Sequence, residues 1–383
     1  MRRSASFSPV LLAAIFSPVL SFFLGGPSQL AAGPIYSIVN LGALGSGAAM
    51  PAALNNTGGA AGFVTTLAGD QIPVSFNGQA NPLGGSGQAN GINDAGIVIG
   101  TRLTSGNPDV TEWSNGQMKS LGIDGYGTGI NNAGQVVGGY VTGGQLHAFT
   151  WLNGSLTDLG TSAGGTWSSA YAVNSSGEIV GTSALSNGLF RAFFSNGSGM
   201  ASLGTFAGTN GSSYAMAVND YGEIAGNAQT AAGFAHAFLW NGAALIDLGT
   251  LGGAQSYAYG VNDAGTVVGY SLLSDGASHA FVYSDGVMLD LNHLLPIGSG
   301  WTISDAYAIN SSGDILGTGL FDGQSYAVEL APLGASVNQV DSLSYGVLAT
   351  PEPATLLVAL AGLLCILLRR VSLKRAFHVH FRA

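Results

Sequence analysis

The chain of 383 residues holds 61 glycines but only 10 basic and 20 acidic side chains, more than twice the usual share of glycine and about a third of the usual charge. A hydrophobic content of 46% supplies a core and excludes the disorder that high charge and low hydrophobicity produce. Between the basic ends only Arg102, Lys119 and Arg191 face all 20 acidic residues, a formal −17, which excludes nucleic acid and anionic lipid as partners of the body.

The N-terminal stretch MRRSASFSPVLLAAIFSPVLSFFLGGPSQLAAG sets two arginines before an apolar run that ends in small residues and helix breakers. Residues 1–32 are predicted to be a secretory signal peptide cut within 26–33, the alternative being an uncleaved anchor. Beyond Arg2-Arg3 the twin-arginine pattern is missing. The single cysteine, Cys365, lies in the C-terminal apolar run, so the exported body holds no disulfide and relies on packing.

From 35 to 331 the chain repeats itself. Asn-x-x-Gly, usually led by Ile or Val and followed by an apolar pair and Gly, occurs at Asn55, Asn93, Asn131, Asn174, Asn219, Asn262 and Asn310. A Leu-Gly phrase precedes each copy, at Leu41, Leu83, Leu121, Leu159, Leu203 and Leu248, with Leu291-Asn292 as the degenerate last member. HAF with an aromatic and a turn appears from His147, His236 and His279, and as RAF from Arg191. Weaker members start at Ile72, Asp109 and Tyr326.

Short β-rich segments bounded by Asn-Gly, Ser-Gly and Asp-Gly read as hairpins, four strands to a unit. In Asn-x-x-Gly the Asn side chain bonds the backbone two residues on and the Gly takes the positive φ of a tight turn. Four strands in such a unit is the size of a β-propeller blade. The N-terminal IYSIVNLG lacks its aromatic strand and the C-terminal YAVEL lacks its successor, so each end completes the other and leaves no free sheet edge. The expected fold is all-β: a seven-bladed β-propeller closed by both termini, preferred over an open solenoid, with an N-terminal signal peptide and a single C-terminal transmembrane helix.

Within the body, no residue pattern commits to catalysis. His147, His236 and His279 recur in successive units and would stand apart around a ring, with Arg191, Tyr326 and Asp109 in the sister positions. A structural role is preferred over metal ligation. The acidic turns suggest calcium, but no unit has the alternating oxygen ligands and closing Glu of a calcium loop, so solvated turns are preferred and no cofactor is assigned. There is no H-E-x-x-H and no body cysteine. Asp158, Asp247 and Asp290 share a slot that is Ser202 in a sister unit, which suits a turn better than a catalytic pair. Trp113, Trp151, Phe194, Trp240 and Tyr283 read as one repeated slot, given to packing between blades rather than to a sugar-stacking surface.

Residues 332–350 read as a linker, and 351–375 as a terminal signal: Pro351, Glu352 and Pro353, an uncharged run from Ala354 to Leu368, then Arg369 and Arg370. As a helix the run spans about 22 Å, short of the roughly 30 Å hydrocarbon core. Its basic flank places the body on the far side of the membrane, and the same arginines exclude a glycolipid-anchor signal.

The phrases HAF, DLG and VNxxGxIVG resemble the HAF-repeat family of extracellular bacterial proteins. Pro-Glu-Pro, an apolar helix and an arginine pair resemble the PEP-CTERM sorting signal. That resemblance implies processing by an exosortase, a membrane transpeptidase of Gram-negative bacteria that make exopolysaccharide, although the tail VSLKRAFHVHFRA runs on past the usual end. Three functions follow as expectations. The first is an exported, non-enzymatic propeller at the cell surface or in a biofilm matrix that binds extracellular polysaccharide or a surface protein. The second is a polysaccharide hydrolase or lyase with carboxylates in the channel, and the third a structural surface-layer protein.

Overall fold

The structure, a computed structural model, describes residues 35–333 except 43–47, 105–106, 163 and 198. The signal peptide at 1–32, most of the linker and the sorting signal at 351–375, with Pro351, Glu352, Pro353, Arg369 and Arg370, lie outside the described residues. Among the described residues no helix is long and apolar enough to cross a membrane, and the transmembrane helix expected at 354–368 is not part of the fold established here.

The described residues are all-β apart from two short 3-10 turns, Gly208–Asn210 and Leu291–Leu294. They form a β-propeller, and its blade count corrects the expectation of seven. Hydrogen bonding gives five four-stranded blades, while two further repeat units are fused in one seven-stranded sheet. The cause is the 14-residue strand Gln117–Ile130, which closes one unit and opens the next. Only ten residues separate Leu121 from Asn131, so no chain is left for a loop. The preceding unit has the same spacing, but Gly84 (φ 93°) and Gly85 (φ 81°) break it between Ala80–Pro82 and Gly87–Ile92.

The blade Trp301–Ile309, Ile315–Phe321, Gln324–Leu333 takes its fourth strand from the other end of the chain. Ile35–Gly42 pairs antiparallel with Gln324–Leu333, Ile35 opposite Leu333. The repeat region therefore runs two residues beyond the expected limit of 331.

Each sheet is covered by a neighbour on both faces, so its strands carry contiguous buried pairs instead of the alternation of a half-exposed sheet. The apolar pair that follows each Asn-x-x-Gly turn shows why. Val267 packs into one cluster with Ala225 and Phe281, and Val268 into the next with Ile303 and Val328. Ile224 and Ala225, Ile179 and Val180, and Ile315 and Leu316 divide in the same way between consecutive clusters. The core is thus a chain of wedges between sheets. The Ala and Phe of HAF, fully buried at Ala148-Phe149, Ala192-Phe193, Ala237-Phe238 and Ala280-Phe281, fill them.

Candidate functional site

The first strand of each unit neighbours the first strands of the units on either side, and these strands line the axis. Each ends in Asn-x-x-Gly, and the seven turns surround a cavity of about 230 Å³ at one mouth of the axis. The asparagines are 3% to 7% exposed. Their Oδ1 atoms act locally, as the sequence predicts: Asn219 Oδ1 accepts from the N–H of Tyr221 at 3.1 Å and of Glu223 at 2.8 Å, and Gly222 has φ 76°. The Nδ2 atoms do something the sequence did not announce. Asn55 donates to the carbonyl of Asn93, Asn93 to Asn131, Asn131 to Asn174, Asn174 to Asn219, Asn219 to Asn262, Asn262 to Asn310, and Asn310 back to Asn55. The repeated Asn is a collar that closes on itself.

The residue after each Asn forms an outer ring: Asn56, Asp94, Asn132, Ser175, Asp220, Asp263 and Ser311. Three carboxylates at one mouth is the arrangement a hydrolase would use, but here each accepts from a neighbouring turn. Asp94 accepts from the N–H of Asn56 at 2.8 Å, Asp220 from Ser175 at 2.9 Å and Asp263 from Asp220 at 2.9 Å. Asn132 and Asn56 do the same work without charge, accepting from Asp94 and Ser311. An acceptor oxygen suffices, which marks the ring as structural. Burial pushes the Asp94 carboxyl up, but the Asn56 N–H and the amides of Asn132 and Asn56 outweigh it and hold Asp94 below the usual carboxylate range. A general acid needs the opposite shift.

Just before the collar, each first strand carries a β-bulge, its ladder skipping the residue three before the Asn. The skipped residues are Ala52, Asn90, Thr128, Tyr171, Met216, Tyr259 and Tyr307. A bulge frees a side chain from the pleat and re-aims it. Two of the small polar members staple neighbouring units: Asn90 Nδ2 donates to the Gly127 carbonyl, and Thr128 Oγ1 to that of Ala170. The tyrosines instead build an aromatic arc. Tyr259 and Tyr307 lie with ring centroids 5.7 Å apart across two sheets, and Tyr270 stacks on Tyr257 at 4.9 Å and on Tyr259 at 5.9 Å. In the sheet on the other side, Tyr214 stacks on Phe190 of the sheet beyond it at 5.7 Å. All of these are half-buried. Burial, with the charge of nearby Asp305 and neighbouring phenols adding to it, pushes Tyr259 and Tyr307 up to about 12. These phenols are therefore neutral hydrogen-bond donors at any physiological pH.

The three histidines stand on the third strands, where each pairs with the Asp of the Asp-Leu slot. Nδ1 lies 3.0 Å from the carboxylate in His147–Asp158 and His236–Asp247, and 2.6 Å in His279–Asp290. Those Asp residues also close turns, Asp158 and Asp247 accepting from Gly160 and Gly249. The sister units explain the sequence exceptions. Where Arg191 replaces His, its guanidinium donates to the carbonyls of Phe190, Gly208, Thr209 and Gly211, needs no Asp, and finds Ser202 in the slot. Where Asp109 replaces His, Ser120 donates to it at 2.6 Å. The residues at the His and Asp slots thus change together.

The aromatic slot needs one correction. Trp113, Trp151, Trp240 and Tyr283 oppose Val98, Val136, Ile224 and Val267, but in the fourth unit that place belongs to Ser195, opposite Ile179, and Phe194 stands one residue earlier. Phe194 still packs against Trp240 of the next blade, centroids 6.2 Å apart.

Among the described residues, Glu329 is the carboxyl whose environment raises its pKa, through burial and then the charge of Asp314. It lies on a third strand, between Val39 and Leu316, and not on the first strands. A raised carboxyl favours the folded state only while protonated, so its penalty is absent below the ordinary Glu range and fully present above the raised value. Glu329→Gln is expected to raise the melting temperature at pH 7.5 and leave it unchanged at pH about 4. Equal melting at both pH values would show that Glu329 is solvated like a surface carboxylate.

No protein-family model matches the sequence, and no curated protein matches it. Solved structures do. The fold is that of β-propellers. TolB from Acinetobacter baumannii is 15% identical with a TM-score of 0.44, over 61% of this chain and 63% of that one. The β-propeller domain of the Trilobed protease from Pyrococcus furiosus is 11% identical with a TM-score of 0.45, over 63% and 80%. A gluconolactonase from Xanthomonas campestris is 14% identical with a TM-score of 0.39, over 79% and 99%. The chain spans less than two thirds of the length of TolB, and at these identities the likeness is one of fold alone.

Proposed function

We propose that the chain is an exported, non-enzymatic β-propeller that an exosortase sorts through Pro351–Pro353, the apolar run and Arg369-Arg370, and that it binds extracellular polysaccharide at the surface of a Gram-negative cell. The observation that carries the non-enzymatic part is the commitment of the carboxylates at the collar: Asp94, Asp220 and Asp263 serve as turn acceptors in the way that Asn56 and Asn132 do. The raised carboxyl, Glu329, sits away from the axis. A hydrolase needs a raised acid and an ionised carboxylate facing one another across the substrate. The export and sorting part rests on the terminal sequences.

The test uses the protein recovered from the outer surface and medium of its native host. A C-terminal peptide ending near Pro351 to Pro353, and co-sedimentation with the host's matrix polysaccharide, are the expected results. An intact tail retained in the inner membrane would overturn the sorting. Release of reducing or unsaturated sugar ends from that polysaccharide would replace the binding module with a hydrolase or lyase.

A further inference from the structure

Internal comparison of the seven units separates framework from variable positions. The collar Asn and the Gly three and seven residues after it recur in every copy. The bulged position runs from Ala52 through Asn90, Thr128 and Met216 to three tyrosines. In a repeat architecture, a position that the backbone aims away from the ladder and that differs between otherwise equal units is free to serve recognition. Its composition is also lopsided around the ring. The units holding Asn90 and Thr128 use it to staple neighbours, whereas Tyr259 shares its sheet with Tyr257 and Tyr270 and faces Tyr307 of the next, and Tyr171 stands in the sheet next to that of Tyr214.

We infer that Tyr171, Tyr214, Tyr257, Tyr259, Tyr270 and Tyr307 form an aromatic wall on one side of the axis that binds a neutral hexose polysaccharide, a site that deepens and rests on the polysaccharide-binding function proposed above. Half-buried rings present apolar faces and edges to the C–H faces of pyranose rings, and their phenol oxygens can accept from sugar hydroxyls, that of Tyr257 while its own O–H donates to Gln255 Oε1. The charge selects the class of polymer. Asp305 stands beside this wall, and the three cations of the body are placed elsewhere. Arg191 is wrapped in backbone carbonyls, Arg102 faces Asp109 at 3.5 Å, and Lys119 lies on the strand Gln117–Ile130 opposite Glu112. A uronate-rich chain would find no free counter-charge at the wall and a net repulsive body, while a neutral chain meets no such barrier.

Affinity electrophoresis of the full chain tests this directly, with hydroxyethyl cellulose, dextran and galactomannan as neutral polymers and alginate as the anionic one. Retardation by at least one neutral polymer and none by alginate is expected. Tyr257→Ala and Tyr259→Ala should each weaken it tenfold or more, with melting curves that report an intact fold. Chemical nitration gives a measure independent of any variant: the bound polymer should protect Tyr257 and Tyr259 while leaving the exposed Tyr221 reactive. Retardation by a neutral polymer with both variants folded and unaffected, or with no protection of the arc, overturns the wall and leaves the binding module standing. Retardation by alginate alone overturns the neutral-polymer assignment. Absence of retardation by every polymer overturns the wall and the binding module together.

Discussion

Gly226→Ala is expected to be among the most damaging single substitutions in the chain. The residue stands seven places after Asn219, where every unit has Gly, and a Cβ there would meet the Tyr214 carbonyl oxygen at 2.0 Å and the Phe238 ring at 2.9 Å. Gly181 and Gly269 face the same obstruction from Ser169 and Tyr257 at 2.1 and 1.9 Å. The obstructing atom is backbone in a bulged strand, pinned between collar and core, so it cannot rotate away as a side chain would. A cost of about 3 kcal/mol or more is expected, the upper range of overpacking. Gly222→Ala is the matched control, because it asks for a left-handed alanine (φ 76°) with only the Glu178 carboxylate nearby at 3.2 Å, and about 1 to 2 kcal/mol is expected. Denaturant midpoints of the two variants against the parent decide it. Similar midpoints for both would mean that the bulge carbonyl does not turn over Gly226.

The collar gives the second large effect. Asn219→Ala removes the bond to the Asn262 carbonyl and the two bonds from Tyr221 and Glu223, all at a residue 4% exposed. Leaving buried groups unpaired costs about 1 to 3 kcal/mol each, and solvent entering the mouth recovers part of it, so a net loss of about 3 kcal/mol is expected. Asn219→Asp separates the two roles of the side chain. It keeps the acceptor for the turn but loses the donor, and its carboxylate would face the Asn262 carbonyl and the Glu223 carboxylate, whose Oε2 lies 2.7 Å from Nδ2. Such an Asp has a raised pKa, so its variant should be stable below the ordinary Asp range and lose stability as pH rises through the raised value. Thermal melts at pH about 4 and 7.5 read this out. A pH-independent melting temperature for Asn219→Asp would show that the collar bond is not made.

The local chemistry was legible in the sequence because it depends on residues close along the chain. Asn-x-x-Gly turns, paired apolar residues and the Asp-Leu turn of Asp158 and Asp247 all act within a few positions, and each has a side chain or glycine that states its purpose. The collar bonds were not legible. Asn219 reaches a carbonyl 43 residues away and Asn310 one 255 residues away, and nothing in the motif distinguishes an Asn that only closes its own turn from one that also joins its neighbour. The bulge was hidden for a related reason: a skipped residue is a property of a pairing register, and Tyr259 reads as an ordinary strand residue until Ala258 and Gly260 are seen to oppose Gly269 and Val268. The signal that could have exposed it is the Gly seven residues after each Asn, which no turn or strand propensity explains.

By itself, then, the sequence determined that this protein is a repeated all-β chain with structural turns, since those properties follow from composition and short-range pattern. The tertiary structure decided how many sheets the repeats make, because the loop-free strand Gln117–Ile130 joins two units into one sheet while Gly84 and Gly85 part their neighbours. It also decided which residues surround the axis, because that depends on bulges and on hydrogen bonds between units about 40 residues apart, where packing and not local propensity sets the geometry.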